Sequence, residues 1–161
     1  MNLVLEPFQE KDLHLLQGWS RAVGAYRFMQ KVTPLNYQDP GDFSRWGIDY
    51  VWYAIIIDGE KAGGVWVDRR RAGDSIGILG IIIGRPEVLG RGIGRRVIRM
   101  ALGKAVEILG ITMARLTVRQ ANQRAIRAYR SVGFTVSGGG NTALPDGTTV
   151  PFYRMEMSLT P

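Results

Sequence analysis

The stretch Ile81-Ile82-Ile83-Gly84-Arg85-Pro86-Glu87-Val88-Leu89-Gly90-Arg91-Gly92-Ile93-Gly94-Arg95-Arg96-Val97 decides how this chain is read. The isoleucine run closes the segment Ser75–Ile83 and predicts a strand buried on both faces. Beyond it, Val97, Ile98, Ala101, Leu102, Ala105 and Ile108-Leu109 lay an apolar stripe along a helix from about Gly92 to Leu109, closed by Gly110. Between strand and helix, Leu89-Gly90-Arg91-Gly92-Ile93-Gly94-Arg95 alternates glycine with larger residues. Glycine lets a backbone come close to a ligand. A helix start offers unpaired N–H groups and the positive end of its dipole. Arg91 and Arg95 add charge, so the segment meets the requirements for holding a pyrophosphate. Two other phosphate loops fail on spacing. A dinucleotide G-x-G-x-x-G would need glycine where Arg95 or Val97 stands, and no G-x-x-x-x-G-K-[ST] run exists. The plain alternative is a tight turn between strand and helix.

Outward from this segment, the chain alternates strands and helices. Asn2–Glu6 predicts a first strand, and Asp12 caps a helix to about Arg21 with Leu13, Leu16 and Trp19 on its inner face. Gly24 to Pro34 is irregular, and Asp39 to Tyr50 is expected to be a second helical stretch entered through Pro40. Val51–Ile57 and Ala62–Asp68 form a hairpin about Asp58-Gly59. On the C-terminal side, Ala114–Val118 is a strand and Asn122 caps a helix to Val132, closed by Gly133. Phe134–Ser137 is a short strand, Gly138 to Gly147 a loop, and Val150–Ser158 the last strand. The expected architecture is an α/β sandwich with a mixed sheet.

Composition narrows the chemistry. The 161 residues suit a single domain over 1–161, with 45% apolar and 22% charged residues, as in a soluble globular protein. The chain has no cysteine, which excludes disulfides, thiolate metal sites and a cysteine nucleophile. His14 is the single histidine, so neither a histidine metal site nor a Ser-His-Asp triad is expected, and no metal is assigned. No apolar run approaches the ~20 residues of a membrane span. Met1 to Glu10 has neither a basic n-region nor a long apolar core, so no signal peptide is expected. A cytoplasmic enzyme or binding module is the expectation.

The net charge of +7 is unevenly placed. Residues 84–133 hold 11 Lys/Arg against 2 Asp/Glu, whereas 1–83 and 134–161 are each at −1. Arginine outnumbers lysine 17 to 4, which suits forked donors for phosphate.

After the strand Ala114–Val118 come Gln120, Asn122, Ala125, Tyr129 and Gly133-Phe134. Taken with the glycine loop, Ile76 to Phe134 resembles the GNAT superfamily of acetyl-CoA-dependent N-acetyltransferases. Gly92 and Gly94 match that family's [Q/R]-x-x-G-x-[G/A] signature, and Leu89 departs from its first position. Asn122, Ala125, Tyr129, Gly133 and Phe134 match N-x-x-A-x-x-x-Y-x-x-x-G-F in full. The resemblance implies a mixed, largely antiparallel central sheet flanked by helices.

It also implies roles. Backbone groups of Ile82, Ile83 and Gly84 would pair with the pantetheine arm of acetyl-CoA, the co-substrate. The loop Leu89, Gly90, Arg91, Gly92, Ile93, Gly94 and Arg95 would hold the pyrophosphate. Asn122 would bind the pantetheine or its phosphate end, Tyr129 would protonate the departing thiolate, and a primary amine would attack the thioester directly. On spacing alone, Asn122 is equally an N-cap and Tyr129 a core tyrosine. Arg124, Arg127 and Arg130 share a helix face and either meet the ribose phosphate or are solvated.

No base is assigned. Strand Ile76–Ile83 carries no acid, Asp68 and Asp74 read as turn residues, and Glu87 falls beside the phosphate loop. A water-mediated route for the ammonium proton is expected. The acceptor, a small molecule or protein N-terminus, should meet the first helices and Gly138 to Gly147. There Trp19, Tyr26, Phe28, Tyr37, Phe43 and Trp46 read mainly as core.

Two other functions stay open at this stage. One is a CoA-binding sensor of the same fold, which intact Asn122 and Tyr129 disfavour. The other is a basic nucleic-acid-binding module, which the charge suggests but no nucleic-acid motif supports. Dimers are common in families of this kind.

Overall fold

Every residue of Tyr50-Val-Trp-Tyr-Ala-Ile-Ile-Ile57 is buried, because this strand lies between two neighbours and under two layers. The computed structural model describes residues 1–22 and 31–160. One sheet of seven strands runs through it in the order β1-β2-β3-β4-β5-β7-β6. The strands are β1 (Leu3–Pro7), β2 (Tyr50–Ile57), β3 (Glu60–Asp68), β4 (Ile76–Ile83), β5 (Met113–Arg119), β6 (Thr135–Ala143) and β7 (Thr149–Ser158). The helices are α1 (Leu16–Ala22), α2 (Ile93–Leu109) and α3 (Gln123–Val132). All pairings are antiparallel except β4 with β5. The mixed, largely antiparallel sheet flanked by helices is therefore present. Asp58 and Gly59 both take positive φ, as the two-residue turn between β2 and β3 requires.

Three segments differ from the sequence reading. The first helix begins as a 3₁₀ turn at Glu10–Leu15, and Asp12 is not its cap but sits inside it. The buried Asp12 carboxylate accepts from the Gln9 N–H at 3.0 Å and pairs with Lys61 across the fold. Asp39 to Tyr50 makes turns rather than a helix. Gly41 and Gly47 stand at φ 84° and 81°, and the aromatic rings of this segment pack onto β2 instead of forming a helical stripe. The expected loop Gly138 to Gly147 is mostly strand, since β6 continues to Ala143. A ladder needs only backbone groups, and the missing side chains let Arg154 and Phe152 of β7 lie over Gly138 and Gly140. Tyr26 and Phe28 lie outside the described residues.

Strand alternation divides the interior into two cores. Val51, Tyr53, Ile55, Val65, Val67, Leu79, Ile83, Ala114, Leu116 and Met155 face α2 and α3. Tyr50, Trp52, Ala54, Trp66 and Ile82 face the other way, toward α1 and Tyr37. Phe8 stacks on Trp52 with ring centroids 4.0 Å apart, and Trp46 donates its indole N–H to the Trp52 carbonyl at 3.0 Å.

Candidate active site

Among the described strands β4 and β5 are the only parallel pair, and they stay together briefly. Their register runs from Ile76↔Met113 to Ile78↔Arg115 and stops. From Leu79 onward β4 keeps β3 on one side and has no strand on the other. A gap therefore opens at the C-terminal ends of the two strands, where ligands of open α/β sheets bind. α2 follows β4 and α3 follows β5, so both helices begin at this end.

The gap's edge is specific about which backbone groups it offers. The Gly84 N–H donates to the Ala62 carbonyl at 2.6 Å. Antiparallel alternation then turns the polar groups of Gly84, Ile82 and Gly80 toward β3. The Ile82 carbonyl confirms this, because a Cβ on Gly63 of β3 would lie 2.0 Å from its oxygen. Ile81 and Ile83 turn theirs toward the gap. Of the expected trio Ile82, Ile83 and Gly84, only Ile83 presents its backbone there, and Ile81 joins it.

The glycine loop takes backbone conformations that only glycine adopts easily. After a 3₁₀ turn at Pro86–Val88 and the extended Leu89, Gly90 and Gly92 take φ 81° and 76°. Gly92 is the N-cap of α2, and the first helical bond runs from Arg96 N–H to the Gly92 carbonyl. The N–H groups of Ile93, Gly94 and Arg95 thus have no acceptor within the helix. Ile93 is buried and fixes the loop to the core, while Arg91 and Arg95 are exposed. Asn122 is the N-cap of α3, its carbonyl oxygen accepting from the Ala125 N–H at 3.3 Å. Tyr129 packs edge-on against Phe134 at 6.0 Å, and burial pushes its phenol up to about 12. Arg124, Arg127 and Arg130 are all exposed.

Residues 14–134 match the model of the acetyltransferase (GNAT) family. The chain belongs to the GNAT acetyltransferase family. Spermidine N(1)-acetyltransferase of Escherichia coli K12 is 33% identical over 86 residues, 53% of this chain and 46% of that protein. The chain thus matches about half the length of this curated relative. Among solved structures, a Vibrio cholerae spermidine N-acetyltransferase in complex with CoA and spermine superposes with a TM-score of 0.76. It is 18% identical over 98% of this chain and 95% of that one. An aminoglycoside acetyltransferase in complex with coenzyme A and kanamycin gives 0.72, at 19% identity over 98% and 95%. These two likenesses establish a shared fold.

Within this GNAT fold the acids near the gap are already engaged. Asp68 is 2% exposed, so it is more than a turn residue. Its carboxylate accepts from the Asn36 N–H at 3.1 Å, from Asn36 Nδ2 at 2.8 Å and from the Arg69 N–H at 2.8 Å. Burial raises its pKa while those hydrogen bonds oppose the rise. The neighbouring Arg69 guanidinium is buried too and donates to the carbonyls of Ile48, Asp74 and Leu109. This pair ties the segment after residue 30 and the end of α2 to β3. Glu87 is exposed and bonded to Arg85 at 2.7 Å, which holds its carboxyl below the usual range. His14 is exposed on the first helical turn. Among the described residues no group of three or more His, Asp or Glu side chains is placed to hold a metal, and no helix is long and apolar enough to cross a membrane.

Proposed function

We propose that this chain, acting as one domain, is an N-acetyltransferase that moves an acetyl group from acetyl-CoA to a primary amine. One observation carries the proposal. The gap between β4 and β5 is bordered by an unpaired strand edge, by the glycine loop with unpaired N–H groups, and by the helix that bears Tyr129. These features fit the parts of acetyl-CoA in order. Ile81 and Ile83 hydrogen-bond the pantetheine arm as an added strand would, held from behind by the β3 pairing of Ile82 and Gly84. The loop Leu89 to Arg95 takes the pyrophosphate on its N–H groups, with Arg91 and Arg95 adding charge. The Asn122 carbonyl oxygen stays on Ala125, which leaves its Nδ2 to donate to the arm.

Acetyl-CoA supplies the activated acyl group as a thioester. The protein holds it beside the amine, and that proximity contributes much of the rate. A strand N–H in the gap stabilises the negative charge that develops on the carbonyl oxygen. The nitrogen–carbon bond forms, the carbon–sulfur bond breaks, and Tyr129 donates a proton to the departing sulfur. The amine's own proton leaves through water, since Asp68 and Glu87 are both committed elsewhere.

The test is calorimetric titration with acetyl-CoA, followed by thiol release on a panel of amines. Saturable binding with turnover of at least one amine is expected. Binding with no turnover on any amine would favour a CoA sensor, and no binding at all would sink the proposal.

A further inference from the structure

The open side of the gap carries an arginine pair. Gly77 and Ala114 are in register, and a Cβ on Gly77 would strike Ile111 and Val67 of the core under α2. Ile78 and Arg115, one residue on, therefore face the opposite side, toward α1. The same alternation places Arg154 and Glu156 on that face, because Met155 between them is in the α2-side core. The starts of α2 and α3, where the reading above seats acetyl-CoA, lie on the α2 side. An acceptor then reaches the gap from the α1 side, where the Trp66 indole covers Gly80, Ile78 is half-buried and Thr117 is exposed.

Two guanidinium groups there converge on one carboxylate oxygen. Arg115 reaches Glu156 Oε1 through Nε at 3.1 Å and Nη2 at 3.0 Å. Arg154 reaches the same oxygen at 3.5 Å and also bonds Ser137 at 3.1 Å. One acid serves two cations, so the cluster keeps a net positive charge. The buried acids elsewhere on this side already have partners: Asp68 is occupied by Asn36 and Arg69, Asp49 pairs with Arg45, and Asp12 pairs with Lys61. Asp42 accepts from the Ser44 N–H, and none of these four is bonded to Arg115 or Arg154. Residues 23–30 add no carboxylate by composition. Arg115 belongs to the last register pair before β4 and β5 part, so the charge lies at the vertex of the gap.

A polyamine or aminoglycoside acceptor needs carboxylates to hold its cations, and like charges across a site cost several kcal/mol. The vertex of the gap offers the reverse, two arginines on one acid. We infer that the acceptor is a small amine that also carries a carboxylate, held by Arg115 and Arg154 while its amine points into the gap. The inference rests on the N-acetyltransferase reading above. Arg154 is the specificity-determining residue, being the more exposed of the two at 45% against 30%.

The test compares matched acceptors by thiol release: phenylalanine and β-alanine, their carboxamides, spermidine and kanamycin. The carboxylate acceptors should exceed their amides in kcat/KM roughly tenfold or more, the worth of a charge-assisted hydrogen bond. Spermidine and kanamycin should be poorer still. Arg154→Gln should raise KM for the carboxylate acceptors with little change in kcat, bring the ratio close to one, and leave acetyl-CoA binding unchanged. Arg154→Glu should shift preference toward spermidine. Faster turnover of spermidine or kanamycin, no turnover of any carboxylate amine, or an undiminished ratio in Arg154→Gln would overturn the inference. With acetyl-CoA binding intact, such results leave the transferase reading standing; loss of that binding in the unmodified chain removes both.

Discussion

At the scale of single residues, Tyr129 carries the proton transfer of the proposed reaction. Its ring leans on Phe134 and its phenol titrates near 12 because burial disfavours the phenolate. A phenol so disposed is protonated throughout the working range, as the proposed proton donor to the thiolate must be. Tyr129→Phe should lower kcat roughly 100-fold or more while the acetyl-CoA Kd changes less than about twofold. In the unmodified chain, kcat/KM should rise with pH as the acceptor amine loses its proton, with no falling limb from Tyr129 below pH ~10. The same burial has a consequence for stability. Tyr50 and Tyr129 are both raised to about 12, above their ordinary value of 10. A group whose folded pKa is raised contributes fully below its unfolded value, and that contribution is lost as pH climbs through the folded one. Urea unfolding should therefore show stability falling between pH ~10 and ~12, and Tyr129→Phe should flatten part of that fall. An identical slope in the variant would count against burial as the cause.

At the scale of elements, the cap of α2 and its middle each carry a glycine, and the two behave in opposite ways. Gly92 caps α2 at φ 76°, where a Cβ is strained whatever the space around it. Gly103 lies in the same helix, exposed, with no heavy atom within 4 Å of the position its Cβ would take. Gly92→Ala should cost about 1–2 kcal/mol in urea and weaken acetyl-CoA binding, because the N–H groups it aims would move. Gly103→Ala should instead gain about 1 kcal/mol and leave binding alone. Much of this level was legible in the residues. The hairpin at Asp58-Gly59, the stripe of α2, and the caps Asn122 and Gly110 all carry local signals, and the structure has each of them. What was not legible depends on partners distant in sequence. Gly138-Gly139-Gly140 spells a loop until Phe152 and Arg154 cover it from the next strand. Asp68 resembles a turn acid until Asn36, 32 residues away, closes on it. Arg115 and Arg154 carry no local signal as a pair, because 39 residues separate them and only the β5–β7 register brings them to one oxygen. The direction of the Ile81 and Ile83 backbone groups likewise follows from the phase of the β3 ladder, which no residue type encodes.

At the scale of the whole molecule, the charge that first suggests a polyanion divides between two places. The larger share is that of residues 84–133 other than Arg115, in the phosphate loop, α2, α3 and the end of β5. A smaller share, Arg115 with Arg154 and Glu156, sits on the α1-side face. If the first share serves the pyrophosphate and the ribose phosphate of acetyl-CoA, its effect must depend on those phosphates and be open to screening. Raising salt from about 0.1 M to about 1 M shortens the screening length from roughly 10 Å to roughly 3 Å. Exposed Arg91, Arg95 and Arg96 would then lose most of their pull on a phosphate beyond direct contact. The acetyl-CoA Kd, followed by calorimetry across this range, should rise tenfold or more. Acetyl-pantetheine keeps the thioester and the arm that pairs with Ile81 and Ile83 but lacks the phosphates, so its weaker binding should change little. The comparison also separates charge from stability, because a general loosening of the fold by salt would weaken both ligands together. Parallel slopes for the two would mean that the basic stretch serves something other than the donor, and the nucleic-acid reading would have to be reopened with short DNA as the titrant.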